Sequence, residues 1–251
     1  MKALITGASS GIGLDMARYL STKKWELILV ARNKEKLEEI QEQLPTKVTI
    51  IVADLSNEQR VKDLYVIAKK ENVDVLINNA GLGDFGYLTD TDVNKDLELI
   101  NTNIKAMHIL TKYMVREMEN KDSDTYILNV ASAAAFQPGP LMSTYYATKS
   151  YVYQLTEALY YEEKVKKTKV HISVLCPGPV ETNFNNVANV KFSVKPLKST
   201  YVAKYAIDKM LEEKLLIIPG FKMKCARFFG RFVPNKLMLK ITYNIQKKKA
   251  S

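Results

Sequence analysis

Short apolar blocks alternate with stretches of helical period along most of the chain. Residues 2–5, 25–31, 48–53, 73–78, 125–131 and 170–175 are nearly continuous apolar runs of strand length, and 215–219 is a seventh. Runs with little polar alternation suit strands covered on both faces, as in a parallel sheet. Helical patterns lie between them. One follows Gly13 through Leu20; others span 34–43, 57–70 and 93–119; another follows the Gln137-Pro138-Gly139-Pro140 loop and runs to about Lys167. In 93–119, Leu97, Ile100, Ile104, Met107, Leu110 and Met114 recur at helical spacing, so one long helix is expected. Strand–helix alternation with short connections predicts an α/β domain over residues 1–220. Its core is a doubly wound parallel sheet of about seven strands, with helices on both faces and right-handed crossovers.

In such sheets ligands bind beyond the carboxyl ends of the strands. Thr6-Gly7-Ala8-Ser9-Ser10-Gly11-Ile12-Gly13 lies there, between the first strand and the first helix. Glycines allow a tight turn and let backbone N–H groups approach a pyrophosphate at the helix N-terminus. The spacing is GxxxGxG, not the common GxGxxG; a merely structural turn is the other reading. The second strand ends in Ala31-Arg32-Asn33. A NAD site expects an acidic residue there for the ribose 2′-hydroxyl, whereas Arg32 suits a 2′-phosphate and points to NADP(H) over NAD(H). A solvated arginine opening the next helix is the alternative. Gly81-Leu82-Gly83-Asp84-Phe85-Gly86 is a literal GxGxxG, but no helix opens at its end. A loop lining the cleft is expected there.

Tyr145 and Lys149 stand four apart, on one face of their helix. A phenol titrates near pH 10, and a nearby ammonium lowers that value. The pair can then donate and accept a proton near neutrality, or it is an ordinary aromatic and cation on one helix face. Asn101, Asn103, His108 and His171 read from pattern alone as structural polar groups.

Two cysteines, Cys176 and Cys225, are too few for a disulfide framework or a zinc site, and no metal is expected. No run approaches the ~20 uncharged apolar residues of a membrane span. Met1 leads straight into a strand, so no signal peptide is expected and cytoplasm is the expected compartment. Charge is uneven: ten of the 37 Lys and Arg fall in residues 214–251, which hold no Asp or Glu. The other 27 balance the 27 acidic residues, so the main body is neutral.

Taken together, these motifs resemble the short-chain dehydrogenases/reductases over roughly residues 1–185. The resemblance rests on TGxxxGxG at Thr6 to Gly13, Asp54 after the third strand, Asn78-Asn79-Ala80-Gly81, and Ser132 thirteen residues before Tyr145. YxxxK and Pro177-Gly178-Pro179-Val180-Glu181-Thr182 complete it. It implies a Rossmann fold and hydride transfer between NADP(H) and a carbonyl or secondary alcohol. Tyr145 would be the general acid or base; Lys149 would lower its pKa and hold the nicotinamide ribose. Ser132 would hydrogen-bond the substrate oxygen. Asn103 would hold a proton-relaying water, although Ala106 replaces the glycine usual after that motif. Gly7, Ser9, Ser10, Gly11, Ile12 and Gly13 would line the phosphates. Asp54 would contact the adenine, Asn79 the adenosine ribose, and Val180 and Thr182 the nicotinamide amide. Leu55, Ala80, Gly81, Pro177 and Gly178 would line the same cofactor. Ser10 stands where many NADP-preferring members carry a base, which leaves Arg32, with Ser9 and Asn33, to discriminate. A homodimer or homotetramer through the helices bearing Asn103 and Tyr145 is also implied. A catalytically silent NADP(H) sensor or scaffold is the alternative on this fold, but it need not keep Ser132, Tyr145 and Lys149.

The loop at 83–92 and residues 183–196 are expected to cover the substrate, with Phe85, Phe136, Met142, Phe184 and Phe192 as candidate lining. Large apolar side chains suit an apolar or lipid-like small molecule; ordinary lid packing is the other reading. Residues 221–251 are expected to form a basic amphipathic helical extension, divided by Pro234. Cations interleaved with aromatics suit peripheral contact with an anionic membrane. Equally, the apolar face can cover the core or a partner subunit. A nucleic-acid role is not expected, since no recognition fold is present.

Overall fold

The computed structural model describes residues 1–182 and 196–247. The first half of the sheet comes from β1 (Lys2–Thr6), α1 (Gly11–Thr22), β2 (Glu26–Ala31), α2 (Lys34–Gln43), β3 (Val48–Val52), α3 (Glu58–Lys70) and β4 (Val75–Asn78). Then come α4 (Val93–Ile100), α5 (Met107–Met118), β5 (Thr125–Val130), α6 (Ser143–Lys166) and β6 (Val170–Leu175). The C-terminal part holds β7 (Val180–Glu181), β8 (Leu197–Lys198), α7 (Ser199–Leu211), β9 (Leu216–Ile217), α8 (Phe221–Gly230) and α9 (Asn235–Lys247).

Seven strands pair in parallel in the order β3-β2-β1-β4-β5-β6-β9. The order reverses between β1 and β4, and that reversal opens a crevice at the carboxyl ends of the strands. Successive side chains of a strand point to opposite faces. Ala3 and Ile5 of β1 enter one core with Met16 and Leu20 of α1, Leu37 of α2 and Ile207 of α7. Leu4 enters the other with Leu64 of α3 and Leu110 and Met114 of α5. Helix starts follow local capping chemistry. Asn33 accepts from the N–H of Lys36, Asn57 from Gln59 and Arg60, and Asp92 from Asn94.

Strand and helix positions match the pattern to within one or two residues, with three additions. The expected long helix over 93–119 is not uniform: Asn101–Ala106 widens into a π-helical turn between α4 and α5. Such turns leave the α ladder locally and concentrate at functional sites. Helix α7 was not anticipated; Val202, Ala203, Ala206, Ile207 and Met210 are buried on it. A separate parallel ribbon, β7 with β8, flanks the sheet.

A buried polar network ties the sheet to its helices. Asn78 Nδ2 donates to Thr111 Oγ1 and to Asn129 Oδ1, both at 2.9 Å, and Asn129 Nδ2 donates to Thr156 Oγ1 at 3.0 Å. Asn129 thereby joins β4, β5 and α6. Asn129→Ala should lower the unfolding free energy by at least about 2 kcal/mol, since it removes the bonds to the buried Asn78 and Thr156 side chains. The exposed Asn244→Ala should change it by under about 0.5 kcal/mol. Urea denaturation measures both, and equal effects would contradict the network's role.

Candidate active site

The glycine loop is shaped by contacts that leave no room for side chains. Gly7 and Gly11 adopt φ of +65° and +57°, the left-handed region that glycine enters freely. A Cβ on Gly7 would lie 2.8 Å from Ala80 Cα, and one on Gly13 would lie 2.4 Å from Asn79 Nδ2. The Thr6 hydroxyl accepts from the N–H groups of Asn79 and Ala80 at 3.0 Å. Asn79 Nδ2 donates to the carbonyls of Thr6 and Gly7 at 3.0 and 3.1 Å. That amide holds the loop, and Asn79 also lines the cleft. Ser10 precedes α1 without a side-chain cap, so the first N–H groups of the helix are left for another acceptor. Ser9, Ser10, Gly11 and Ile12 line the cleft; Gly13 lies behind them, against Gly7.

Arg32, Asp54 and Leu55 lie at the ends of β2 and β3 and line the same cleft. Arg32 Nη1 donates to Glu98 Oε1 of α4 at 2.9 Å, and both side chains are exposed. Asp54 Oδ1 accepts from the Ser56 N–H at 2.9 Å. Pro177, Gly178, Val180 and Thr182 line the cleft as well, with Ala80 and Gly81.

Ser132 follows β5, and its Oγ accepts from the N–H of Ala134 at 3.1 Å. Tyr145 and Lys149 come from the first turns of α6 and face it. Burial pushes the Tyr145 phenol up to about 12, and a hydrogen bond with Ser132 acts the other way. Burial also pulls Lys149 down to about 8. Its Nζ lies 5.8 Å from the Tyr145 ring centre and donates to the Val130 carbonyl at 3.0 Å. Spacing led to the expectation that the ammonium lowers the Tyr145 pKa; among the influences on the phenol here, loss of hydration is the largest.

Asn103 sits in the π-helical turn. Its Oδ1 accepts from Leu82 N at 2.8 Å; its Nδ2 donates to Leu82 O at 2.9 Å and to Thr148 Oγ1 at 3.1 Å. A Cβ on Gly81 would fall 3.2 Å from Lys149 Nζ and 3.3 Å from Asn103 Oδ1. The structure thus brings Asn103, Gly81, Lys149, Tyr145 and Ser132 into one wall. Neighbouring Thr102, unremarked in the sequence, also lines the cleft.

Phe136 and Met142 line the cavity, while Phe85 stands behind it, against Ala134, Met142 and Tyr146. Phe184 and Phe192 lie outside the described residues. The lining that pattern reading missed comes from α8 and α9. Met223, Arg227, Phe229, Met238, Ile241 and Gln246 close a cavity of about 1070 Å³ that extends from the glycine loop. Arg227 Nη2 donates to the Tyr153 hydroxyl at 2.6 Å and its guanidinium lies 4.8 Å from the Phe136 ring centre. The buried Gln246 donates to the Tyr146 hydroxyl, and the hydroxyls of Tyr87 and Tyr243 are 2.8 Å apart. Met238, Thr242 and Gln246 recur every four residues, a helical face that the sequence displays.

The cradle suits a dinucleotide: glycines admit close backbone approach, an uncapped helix start favours an anion, and Arg32 supplies a cation. The family model for short chain dehydrogenases matches residues 1–191. An uncharacterized oxidoreductase of Staphylococcus epidermidis is 33% identical over 183 residues, 72% of this chain and 78% of its own length. A short-chain dehydrogenase from Sphingobium yanoikuyae, solved in complex with NADPH, has a TM-score of 0.83 at 24% identity over 92% of each chain. A short-chain dehydrogenase/reductase from Burkholderia phymatum, solved in complex with NAD, has a TM-score of 0.83 at 25% identity, over 90% of this chain and 91% of that one. The chain belongs to the short-chain dehydrogenase family.

Proposed function

We propose that this oxidoreductase acts on a carbonyl or secondary alcohol and prefers NADP(H). The observation that carries the reading is the meeting of Ser132, Tyr145 and Lys149 in the wall of the cleft that begins at the glycine loop. A nicotinamide dinucleotide held there would supply or take up the hydride. The chain's own groups handle the oxygen and the proton. Ser132 hydrogen-bonds the substrate oxygen, and the Tyr145 hydroxyl gives it a proton in the reductive direction. Burial keeps Tyr145 protonated at neutral pH, the form that a donor requires. Lys149 presents an ammonium to a ribose and to the developing charge. Asn103 fixes the backbone of Leu82 and positions α6 through Thr148. Met142, Phe136 and the inner residues of α8 and α9 give the substrate end an apolar surface, which suits an apolar carbonyl compound.

The preference for NADP(H) rests on Arg32, which supports it by charge. The solved relatives include one complex with NADPH and one with NAD. Glu98 competes for the Arg32 guanidinium.

Tyr145→Phe should lower NADPH-dependent carbonyl reduction by at least about a hundredfold while NADPH still binds, followed by absorbance and by fluorescence titration. Binding without turnover in the parent chain across a broad carbonyl panel would support a silent sensor instead. Glu98→Gln should tighten NADPH and leave NADH unchanged. The pair is exposed and worth under about 1 kcal/mol, which caps the gain at about fivefold. Equal gains for both nucleotides would remove Arg32 from the discrimination. The pH profile follows from Lys149, whose charge is present below its pKa of about 8 and lost above it. Reductive kcat/KM should hold at neutral pH and fall through that range, with Tyr145 still protonated. A profile that rises there would contradict the assignment.

A further inference from the structure

Helices α8 and α9 close the cleft with one face and leave another uncovered. Phe221, Phe228 and Phe232 are 80%, 56% and 73% exposed, and Leu237 of α9 is 50% exposed. The Phe228 ring touches those of Phe229 and Phe232, with centres 5.3 and 5.7 Å apart, so these three rings form one exposed cluster. Contiguous apolar surface of this kind marks an interaction site.

Cations surround the cluster. Lys222, Lys224, Arg231, Lys236 and Lys240 are all exposed, and no acidic residue occurs in 214–251. A second cavity of about 430 Å³ lies beside α8, with Lys209, Lys214, Lys224, Arg227, Arg231 and Phe228 in its wall. Among the described residues no carboxylate lines it. Lys209 is paired with Glu212 and Arg227 donates to Tyr153, while Lys224 meets only the neutral Tyr205 hydroxyl, at 3.2 Å, among the bonds observed. Arg227 and Arg231 line both this groove and the main cleft, so α8 is the partition between them.

We propose that α8 and α9 dock the protein on an anionic lipid bilayer. The phenyl cluster enters the acyl boundary and the cationic groove takes a lipid phosphate. A second copy of the chain fits this face poorly, because a two-fold interface sets a patch against itself and would oppose cations to cations. An anionic bilayer neutralises the same charges while covering the phenyl groups. The proposal requires no turnover, so its failure and that of the oxidoreductase reading are separable.

The test uses the purified full chain in co-sedimentation with vesicles of phosphatidylcholine alone or mixed with phosphatidylglycerol, at low and high salt. Binding should favour the mixed vesicles by about tenfold or more and weaken with salt. Phe228→Ala with Phe232→Ala, and separately Lys214→Glu with Lys224→Glu, should each lower binding by about tenfold or more. Circular dichroism melting checks that both variants fold. Absence of vesicle binding, or equal binding to both compositions, would overturn the proposal. So would a concentration-dependent dimer that the phenylalanine substitutions abolish. Thermal protection by inorganic phosphate without vesicle binding would assign the groove to a free anion and overturn it too.

Discussion

A methyl group placed on Gly13 would sit 2.4 Å from the Asn79 amide nitrogen and 2.5 Å from the Gly7 carbonyl. That crowding is the constraint on which the cleft depends. The missing side chain lets the start of α1, the loop after β1 and the end of β4 come into direct contact. The Thr6 hydroxyl and the Asn79 amide then fill the hydrogen bonds that such an approach makes available. The first turn of α1 is left facing the crevice at the point where strand order reverses. Fixing this floor also places Gly81, against which the Lys149 ammonium and the Asn103 side chain settle.

The wall that carries Tyr145 and Lys149 is governed by burial. Removing Tyr145 and Lys149 from water disfavours the charged form of each, so the phenol moves up and the ammonium down. The two shifts separate the groups: one keeps its proton firmly, the other sits close to losing it. Ser132 opposes the shift on Tyr145 through a hydrogen bond, and the Val130 carbonyl gives Lys149 an acceptor. Closure by α8 and α9 belongs to the same physics, since a covered cleft strengthens each polar contact inside it. Arg227 and Gln246 reach into that cover from a segment that lies beyond the matched family region.

Most of the sheet was legible because its strands are buried on both faces and read as unbroken apolar runs. The glycine loop and Tyr145 with Lys149 were legible from residue type and spacing. Helix α7 carries a comparable signal, but two of its buried positions, Ala203 and Ala206, are alanines with little hydrophobic weight. The π-helical turn was not legible, because Ile100, Ile104, Met107 and Leu110 fit ordinary helical spacing equally well. In the tail, the docked face carries Thr242 and Gln246, polar residues that a hydropathy reading assigns to water. Spacing shows that Lys149 lies beside Tyr145 but carries no sign of how deeply the two are buried.

The central claim is that this cleft passes a hydride between a bound nicotinamide and a carbonyl carbon. The direct measurement incubates the protein with NADPH deuterated at the nicotinamide C4. Ketones and aldehydes from small diketones to steroids and long-chain acyl ketones are offered, and the alcohols are analysed by mass spectrometry. The account predicts one deuterium on the carbinol carbon of each alcohol formed from a reactive carbonyl. Alcohol that forms without deuterium from either C4 position would contradict it.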